Sequence, residues 1–405
     1  MLHRIILFLF FLTGVKSLYA QENYIISGRI SDGKNPIPGA SVYLASHKIT
    51  TQSDGEGRFS LPPLPAGNYH LLIQMIGFKP ASEQIVLSDR PVQVSIKMIE
   101  SPILLNAVEI KPDPNRAFYL QFFTENFIGK TLNAKQCKIL NPEVLSFDDN
   151  KEDRILRGTA SDFLLIENKA LGYQLRYLLQ DFEYDYGRKI IYYAGFPHFE
   201  EMKGTLAQKK RWTKNRALAY YGSARHFFSA LYHNNLEKEG FILYKQQTIP
   251  NPQRLDDSLI NAQIKRLTSG QREINKSFYF QESDSVMYWF RQRGLPSTVK
   301  VIQQDPVHID TLVKNYDKNR KMMHFADALY VLYQNEKESA EFSNSALSVL
   351  RPRDIKNVQI STAERLTTQI LFYASGAIYD PKSMLYGGYW AFEKMADAVP
   401  EDYLP

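Results

Sequence analysis

The sequence has few of the residues and motifs that mark common catalytic and metal-binding sites. A single cysteine, Cys137, among 405 residues excludes an internal disulfide and a cysteine-based metal cluster, and it predicts a small buried thiol. The Walker and Rossmann loops and the EF-hand calcium loop are also missing, so we predict no cofactor. After the first 20 residues there is no run of 18 uncharged apolar residues, and no later helix is predicted to span a membrane.

A strong excess of one charge is lacking too. The chain carries 49 basic and 43 acidic residues, for a formal charge of +6. Without Arg4 and Lys16, the basic residues among the first 20, the charge falls to +4. This mild balance favours acidic surfaces only weakly, and it predicts that nucleic acid is not a partner.

Apolar and aromatic residues are plentiful enough for a packed core. Hydrophobic residues make up 44% of the chain and charged residues 23%. The 25 tyrosines and 24 phenylalanines predict a large aromatic core or aromatic interfaces. A chain of 405 residues is long enough for two or three domains.

Residues 1–20 have the pattern of a secretory signal peptide. Arg4 precedes an apolar run over residues 5–12, and the small residue Ala20 stands before Gln21. We predict cleavage after Ala20, with cleavage after Ser17 or an uncleaved N-terminal anchor as alternatives. The protein is therefore expected to be exported.

Residues 22–110 alternate between short apolar runs and clusters of turn-forming residues. Asp54-Gly55 and Ala66-Gly67 supply positive-φ positions for tight turns. Seven short strands at near-regular spacing, the last over residues 105–110, predict a β-sandwich. We interpret Asp54 as a hydrogen-bonding turn residue rather than a metal ligand, because it lies in a glycine-rich turn.

Several runs in this region follow the pattern of a known family. They are Gly28-Arg29-Ile30, Pro38-Gly39-Ala40-Ser41-Val42, the run 51–59 around Asp54-Gly55, Leu64-Pro65-Ala66-Gly67-Asn68-Tyr69 and Ile76-Gly77-Phe78. The region resembles the carboxypeptidase-regulatory-like domain, which has a transthyretin-like sandwich. The resemblance implies an accessory or adhesive module without a catalytic group of its own, so carboxypeptidase activity is not expected.

The pattern changes after a predicted linker at residues 111–115, where two prolines lie in a polar run. Residues 116–405 are predicted to form a larger α+β domain in which antiparallel strands dominate. Apolar spacing predicts a helix at 117–128 that residues 134–140 extend, a long helix at 206–234, and helices at 283–293 and 391–396. Strands are predicted at 155–160, 163–167, 173–183, 189–194, 241–247, 325–334, 358–361 and 369–379.

Further runs extend the likeness over most of the chain. They lie at 137–145, 166–173, 193–201, 212–216, 221–228, 387–390 and 397–403. They resemble secreted proteins of Gram-negative bacteria that carry this sandwich in front of an uncharacterised domain. The resemblance implies a place in the cell envelope, in the periplasm or associated with the outer membrane, and no established activity.

The predicted long helix at 206–234 carries the most informative side chains. One of its faces is apolar and should pack on the core, while a second stripe is polar and aromatic. A stripe of this kind is suited to bind an anionic or sugar-like ligand by stacking and bidentate hydrogen bonds, and we take it as the candidate ligand-binding site. Its members are Trp212, Asn215, Arg216, Ser223 and His226. The favoured interpretation is structural: the tryptophan and the arginine stack together and pair with a loop carboxylate, because such arginine packing is common.

Two enzymatic alternatives have less support. Ser223 and His226 could serve as nucleophile and base, but no Gly-x-Ser-x-Gly elbow surrounds the serine. His198, Glu201 and His308 are of the types that bind zinc in carboxypeptidases. In carboxypeptidase D-like enzymes, however, the catalytic domain precedes the sandwich, and here the order is reversed. We therefore predict that the protein is not an enzyme and holds no metal.

These features together predict a non-enzymatic binding or scaffold protein of the cell envelope. Its partner would be an envelope protein or a surface glycan. The seven basic residues from Lys203 to Arg225 would suit a peripheral membrane contact, although a solvated helix face is the favoured interpretation. A metallo- or serine-type hydrolase acting on peptides or glycans is one alternative. A carbohydrate-binding protein is another, with Gly387-Gly388-Tyr389-Trp390 as a stacking platform instead of the favoured tight turn.

Overall fold

The computed structural model describes residues 23–101, 113–268, 284–347, 349, 351–353, 355 and 357–405. The predicted signal peptide, the predicted strand at 105–110 and the first two residues of the predicted linker lie outside this set. The chain forms two compact units: a first unit of the residues up to 220 together with 394–405, and a second unit of 221–393. These units group residues by their contacts, whereas the predicted domains were ranges along the sequence. The predicted boundaries at 22–110, 111–115 and 116–405 stay a prediction.

The first unit opens with a β-sandwich, as the turn signals predicted. Seven strands form its two main sheets, in the orders β5-β2-β9 and β4-β3-β7-β8, and a short pair β1-β6 lies outside them. The strand β4 was not predicted. The strands are β1 Asn23–Tyr24, β2 Ile26–Ser31, β3 Ser41–Leu44, β4 Thr50–Gln52, β5 Arg58–Ser60, β6 Leu64–Pro65, β7 Gly67–Gln74, β8 Ala81–Leu87 and β9 Val92–Lys97.

Alternation along the strands builds the sandwich core. In β7, Leu71 and Ile73 face the core between the sheets. Leu72, between them, points to the outer face together with Tyr43, yet both are buried. They pack there on Phe163 of the following part of the same unit. One outer face of the sandwich is thus occupied within the chain itself.

The rest of the first unit is an antiparallel six-stranded sheet with two helices. The path is β10-β13-β14-β12-β11, and β15 pairs with β14. Asp185 closes the β14–β15 hairpin by accepting hydrogen bonds from the backbone N–H groups of Gly187 and Arg188 at 2.8 and 2.9 Å. The elements are α1 Arg116–Phe127, β10 Cys137–Ile139, β11 Leu145–Asn150, β12 Ile155–Ala160, β13 Leu164–Asn168, β14 Tyr173–Asp185, β15 Ile190–Glu201 and α2 Leu206–Tyr220.

Three helix predictions need correction. Residues 391–396 do not form one helix: a short helix, Tyr389–Phe392, ends within them, and a 3-10 turn, Met395–Asp397, follows. Residues 134–140 do not extend α1: they form a 3-10 turn, Ala134–Gln136, followed by strand β10. The predicted long helix at 206–234 is two helices, α2 and α3 Ala224–Tyr232, which belong to different units. The break falls at Gly222, whose φ of +77° is typical of a residue that ends a helix.

The second unit contains a five-stranded sheet in the order β17-β16-β20-β21-β23 and a three-stranded sheet β18-β19-β22. The strands β17, β18, β19 and β23 and the helices α4 and α6 were not predicted, and the strand predicted at 369–379 ends at Tyr373. The elements are α3, β16 Phe241–Pro250, α4 Asp257–Thr268, α5 Asp284–Gly294, β17 Thr298–Pro306, β18 Val313–Asn315, β19 Arg320–Met323, β20 Ala328–Tyr333, α6 Ala340–Ser343, β21 Gln359–Arg365, β22 Ile370–Tyr373, β23 Met384–Gly388 and α7 Tyr389–Phe392.

The five-stranded sheet has two unlike faces. Leu243, Leu329 and Val331 point to one side and form the main core of this unit with helix α3. On the other side a smaller cluster around Tyr330 and Leu332 covers only part of the sheet. Among the residues that the structure describes, no helix combines the length and the apolar character needed to cross a membrane.

Candidate ligand-binding hollow and the predicted site residues

Three of the predicted ligand-binding residues hold a turn of the first unit. Helix α2 begins with a capping box, in which Thr205 and Gln208 exchange side-chain to backbone hydrogen bonds. One turn further along, Trp212 Nε1, Asn215 Nδ2, Arg216 Nε and Arg216 Nη2 donate to the carbonyl oxygens of residues 169 to 172 in order, at 2.9, 2.8, 2.8 and 3.2 Å. This turn joins β13 to β14, and the helix satisfies four successive carbonyls. We call this arrangement the turn clamp.

The remaining surface of the clamp is also taken by the protein. The Arg216 guanidinium lies 3.9 Å from the centroid of the Tyr173 ring, and its Nη1 is 3.3 Å from Glu201 Oε1. Trp212 is buried against Gly172, whose φ of +71° only glycine adopts without strain. The arginine therefore stacks on a tyrosine and not on the tryptophan, and its carboxylate partner ends strand β15. Ligand binding by these three residues stays a prediction.

Ser223 and His226 lie in the second unit and do not continue the stripe. Ser223 is the N-cap of α3, and its hydroxyl accepts a hydrogen bond from the His226 backbone N–H at 3.2 Å. The imidazole is buried: Nδ1 accepts from the Gly222 N–H at 3.1 Å, so Nε2 carries the proton and donates to Glu239 Oε2, 3.1 Å away. Burial lowers the pKa of His226, while Glu239 opposes the shift. Both ring nitrogens thus have partners within the protein.

The residues of the zinc alternative are not gathered into a site. His198 on β15 is fully buried beside the sandwich, with Nδ1 3.3 Å from the Leu44 carbonyl oxygen. Its pKa is lowered, chiefly by burial. Glu201 pairs with Lys48 and Arg216 instead. Over the described ranges, no three His, Cys, Asp or Glu side chains are placed to hold a metal ion.

Two further motifs take structural positions. Asp54 accepts hydrogen bonds from the backbone N–H groups of Glu56 and Arg58, as its turn position predicted. Gly388 has a φ of +66° and turns the chain into α7. Trp390 is then buried and donates from Nε1 to the Gly222 carbonyl oxygen at 2.7 Å. The glycine-glycine run is thus a tight turn with aromatic packing.

A hollow of about 400 Å³ lies on the partly covered face of the five-stranded sheet. This volume is within the range of small-molecule sites, which is roughly 300–1,000 Å³. We call it the sheet hollow. It is lined by Gln246, Thr248, Lys300, Ala326, Asp327, Ala328, Glu364 and Arg365.

The strand register explains why a depression forms there. Gln246 lies opposite Ala328, and Leu329 lies opposite Ala363, which puts Glu364 next to Ala328 on the same face. Glutamine, alanine and glutamate thus form a row across three strands, with the small methyl group in the middle. Longer side chains on both sides leave a cavity above it.

The edge of the hollow at β17 is irregular. Gln246 pairs with Ile302, whereas Tyr244 pairs with Pro306, so β17 carries extra residues at this point. Such bulges bend a strand and often lie beside binding sites. Thr248 lies opposite Lys300, whose Nζ reaches Glu364 Oε1 at 2.8 Å. Because two strands separate β17 from β21, this ion pair bridges the hollow.

Gln246 is the unusual member of the lining. Its side chain is 6% exposed, and its Oε1 is buried without a hydrogen-bond partner among the described residues. A buried acceptor left unpaired costs about 1–3 kcal/mol. Six of the described residues carry such an atom, and Gln246 is the one among them that lines the hollow, where a ligand or a water molecule can supply the partner.

The hollow was not predicted from the sequence, although strand β16 was. Gln246 and Thr248 alternate as polar residues on a strand that begins Phe241-Ile242-Leu243, which is a signal of a polar patch on one face. The small pair Ala326 and Ala328 in front of an apolar run is a second signal. Neither identifies a cavity until the strands that carry them are paired.

Comparison with known proteins identifies the N-terminal part. Residues 26–110 match the model of the CarboxypepD_reg-like domain. The predicted domain is confirmed, and this regulatory-like domain is non-catalytic. No curated protein matches the chain.

Solved structures with some likeness include three kinds of protein. A catechol 1,2-dioxygenase of an Acinetobacter species shares 11% identity at a TM-score of 0.18, over 21% of this chain and 55% of that one. A type II cohesin–X–dockerin complex from Acetivibrio cellulolyticus shares 20% at 0.17, over 18% and 56%. A minor pilin of Streptococcus agalactiae shares 14% at 0.17, over 20% and 46%. The chain spans about half the length of these proteins, and likenesses of this size indicate no function for it.

Proposed function

We propose that this chain is a non-enzymatic binding protein of the cell envelope, and that the sheet hollow holds its ligand. The signal-peptide pattern of residues 1–20 and the resemblance to secreted Gram-negative proteins support an envelope location. The non-catalytic N-terminal domain supports a binding or scaffold role over a catalytic one.

The observation that carries the proposal is the buried amide of Gln246 in a cavity of ligand size. The charged lining groups are ion-paired or hydrogen-bonded to the protein, as Lys300 and Glu364 show. Paired charges suit the recognition of a polar group better than proton transfer or nucleophilic attack, which require an available acid, base or nucleophile.

The sandwich is proposed to attach an envelope protein at one of its sheet edges. The outer face that carries Tyr43 and Leu72 is already packed on the rest of the first unit. Strand β8 ends the four-stranded sheet on the side away from β4, and Val86 on it is exposed. Among the described strands this edge has no neighbour, and a sheet edge of this kind can accept a strand from a partner.

The hollow is tested by filling it. Ala328→Phe should place a ring in the cavity and abolish retention of the mature protein, residues 21–405, on immobilised envelope extract. Asn315→Phe, on an exposed position of β18, is the matched control and should leave retention unchanged. Equal retention of both variants would contradict a ligand in the hollow.

Location is tested separately. Mass spectrometry of the protein from a fractionated Gram-negative host should give a mature N-terminus at Gln21 and place it in the envelope fraction. An intact Met1 in the cytoplasmic fraction would contradict export.

A further inference from the structure

We infer that the ligand of the sheet hollow is a neutral, polyhydroxylated molecule, of the size of a small saccharide. This inference rests on the proposed function, because it names the class of ligand for the same cavity. It follows from the charge and the hydrogen-bond partners of each polar group in the lining.

The charged groups of the lining are two cations and two carboxylates, Lys300, Arg365, Asp327 and Glu364, and each has a partner in the protein. Lys300 and Glu364 form an ion pair at 2.8 Å. Asp327 accepts a hydrogen bond from Gln247 Nε2 at 3.2 Å, and Arg365 donates to the Thr368 carbonyl oxygen at 2.8 Å. With equal numbers of cations and carboxylates in the lining, an anionic or cationic ligand would meet like charges as well as opposite ones, and a zwitterion would have to open the ion pair that bridges the hollow.

The buried lining atom that lacks a partner is neutral. Within the described part of the chain, Gln246 Oε1 has no hydrogen-bond partner, and the exposed Thr248 side chain lies beside it on the same strand face. A primary amide offers one acceptor and two donors, and a hydroxyl offers both kinds. Ligand hydroxyl groups both donate and accept, so adjacent hydroxyls can serve the two faces of an amide at once.

The charged and apolar parts of the lining fit the same class. The carboxylate of Glu364 and the ammonium of Lys300 keep free lone pairs and N–H bonds after pairing, and these can bind hydroxyl groups by charge-assisted hydrogen bonds. The methyl groups of Ala326 and Ala328 lie in the same lining and supply an apolar area for the C–H face of a sugar ring.

The class is tested by saturation-transfer NMR and calorimetry on the mature chain. The neutral probes are glucose, galactose, mannose and their disaccharides, and the charged counterparts are glucuronic acid, glucosamine, glucose 6-phosphate and glycine. We expect at least one neutral probe to bind with an affinity that salt between 50 and 500 mM leaves unchanged, since no net charge is neutralised. Gln246→Leu should weaken that binding about tenfold or more.

The control is Gln304→Leu, the same change at an exposed position of β17, which should bind like the parent protein. Tighter binding of a charged counterpart, lost in Gln246→Leu, would overturn the inferred class and leave the hollow as a binding site. Equal binding by the parent protein and the Ala328→Phe variant, for every probe and for envelope extract, would overturn the site as well.

Discussion

The turn clamp of the first unit and the sheet hollow of the second use similar side chains in opposite ways. In the clamp, Trp212, Asn215 and Arg216 donate to four successive backbone carbonyls. In the hollow, Gln246 is as deeply buried but has no partner for its carbonyl oxygen. Residue types that are typical of ligand binding were conspicuous in the clamp, and an ordinary glutamine was not. The comparison teaches that residue types typical of ligand binding can be fully occupied by the protein's own backbone, as they are in the clamp.

The largest effect is expected from Trp212→Ala, which breaks the clamp. The change removes a buried ring, and it leaves the Lys169 carbonyl oxygen without its donor. Large-to-small changes of buried tryptophan lower the free energy of unfolding by about 3–5 kcal/mol. Urea unfolding followed by circular dichroism measures the loss, and retention on envelope extract at native conditions should survive it.

The control for that variant is Trp289→Ala, the same change at a partly exposed tryptophan of α5. It should cost clearly less. If the two variants unfold at the same urea concentration, or if Trp212→Ala abolishes retention while it stays folded, the structural reading of the clamp is wrong.

A smaller loss is expected from Arg216→Lys. Lysine keeps the positive charge near Glu201 but cannot reach two carbonyl oxygens with a planar fork or stack on Tyr173. The free energy of unfolding should fall by about 1–2 kcal/mol. Arg211→Lys, on the exposed side of the same helix, should unfold like the parent protein, and an equal change in the two variants would contradict the special position of Arg216.

The pH dependence of the free energy of unfolding tests the first unit further. Its residue His198, unlike the clamp residues, has a buried ring nitrogen without a hydrogen-bond partner among the described residues. This nitrogen is Nε2, and burial lowers the pKa of His198 below the usual 6.5. The neutral form is therefore favoured on folding, and the stability it gives is present above pH 6.5 and is lost as the pH falls toward the folded-state pKa. His198→Gln should flatten that loss.

Unfolding free energies at several pH values from 8 to 5 check this, compared with His324→Gln at an exposed histidine. The difference between variants is the quantity to use, because Asp397 acts in the opposite direction. Burial raises its pKa to about 6, so its contribution falls as the pH rises through that value. Parallel profiles for the parent and His198→Gln would contradict the role given to His198.

The smallest effect on stability is expected in the hollow itself. Lys300→Met breaks the bridging ion pair, but both partners are about half exposed, at 52% and 40%. Exposed pairs contribute at most about 1 kcal/mol, so the unfolding curve should hardly move. Binding of the neutral probe should weaken, whereas Lys314→Met on β18 should change neither quantity. A large loss of stability would show that the bridge is structural.

Much of the first unit could be predicted because its signals are local. Turn residues such as Asp54-Gly55 and alternation along β7 specify short strands with little help from the rest of the chain. The break between α2 and α3 had a local signal in Gly222. A continuous helix was predicted nevertheless, because apolar residues continue at helical spacing on both sides. The turn clamp could not be predicted from the sequence, because its carbonyl groups belong to residues 169–172, which are far from the helix in sequence.

The sequence by itself determined the regulatory-like sandwich and the core-facing pattern of most strands. Only the tertiary structure decided what the polar residues do. Gln246, Ala328 and Glu364 are remote in the chain and meet because strands β16, β20 and β21 pair in one register. A shift of one residue would turn each of them to the other face, and no local pattern records that choice. The cavity is a product of register, whereas the sandwich is a product of its turns.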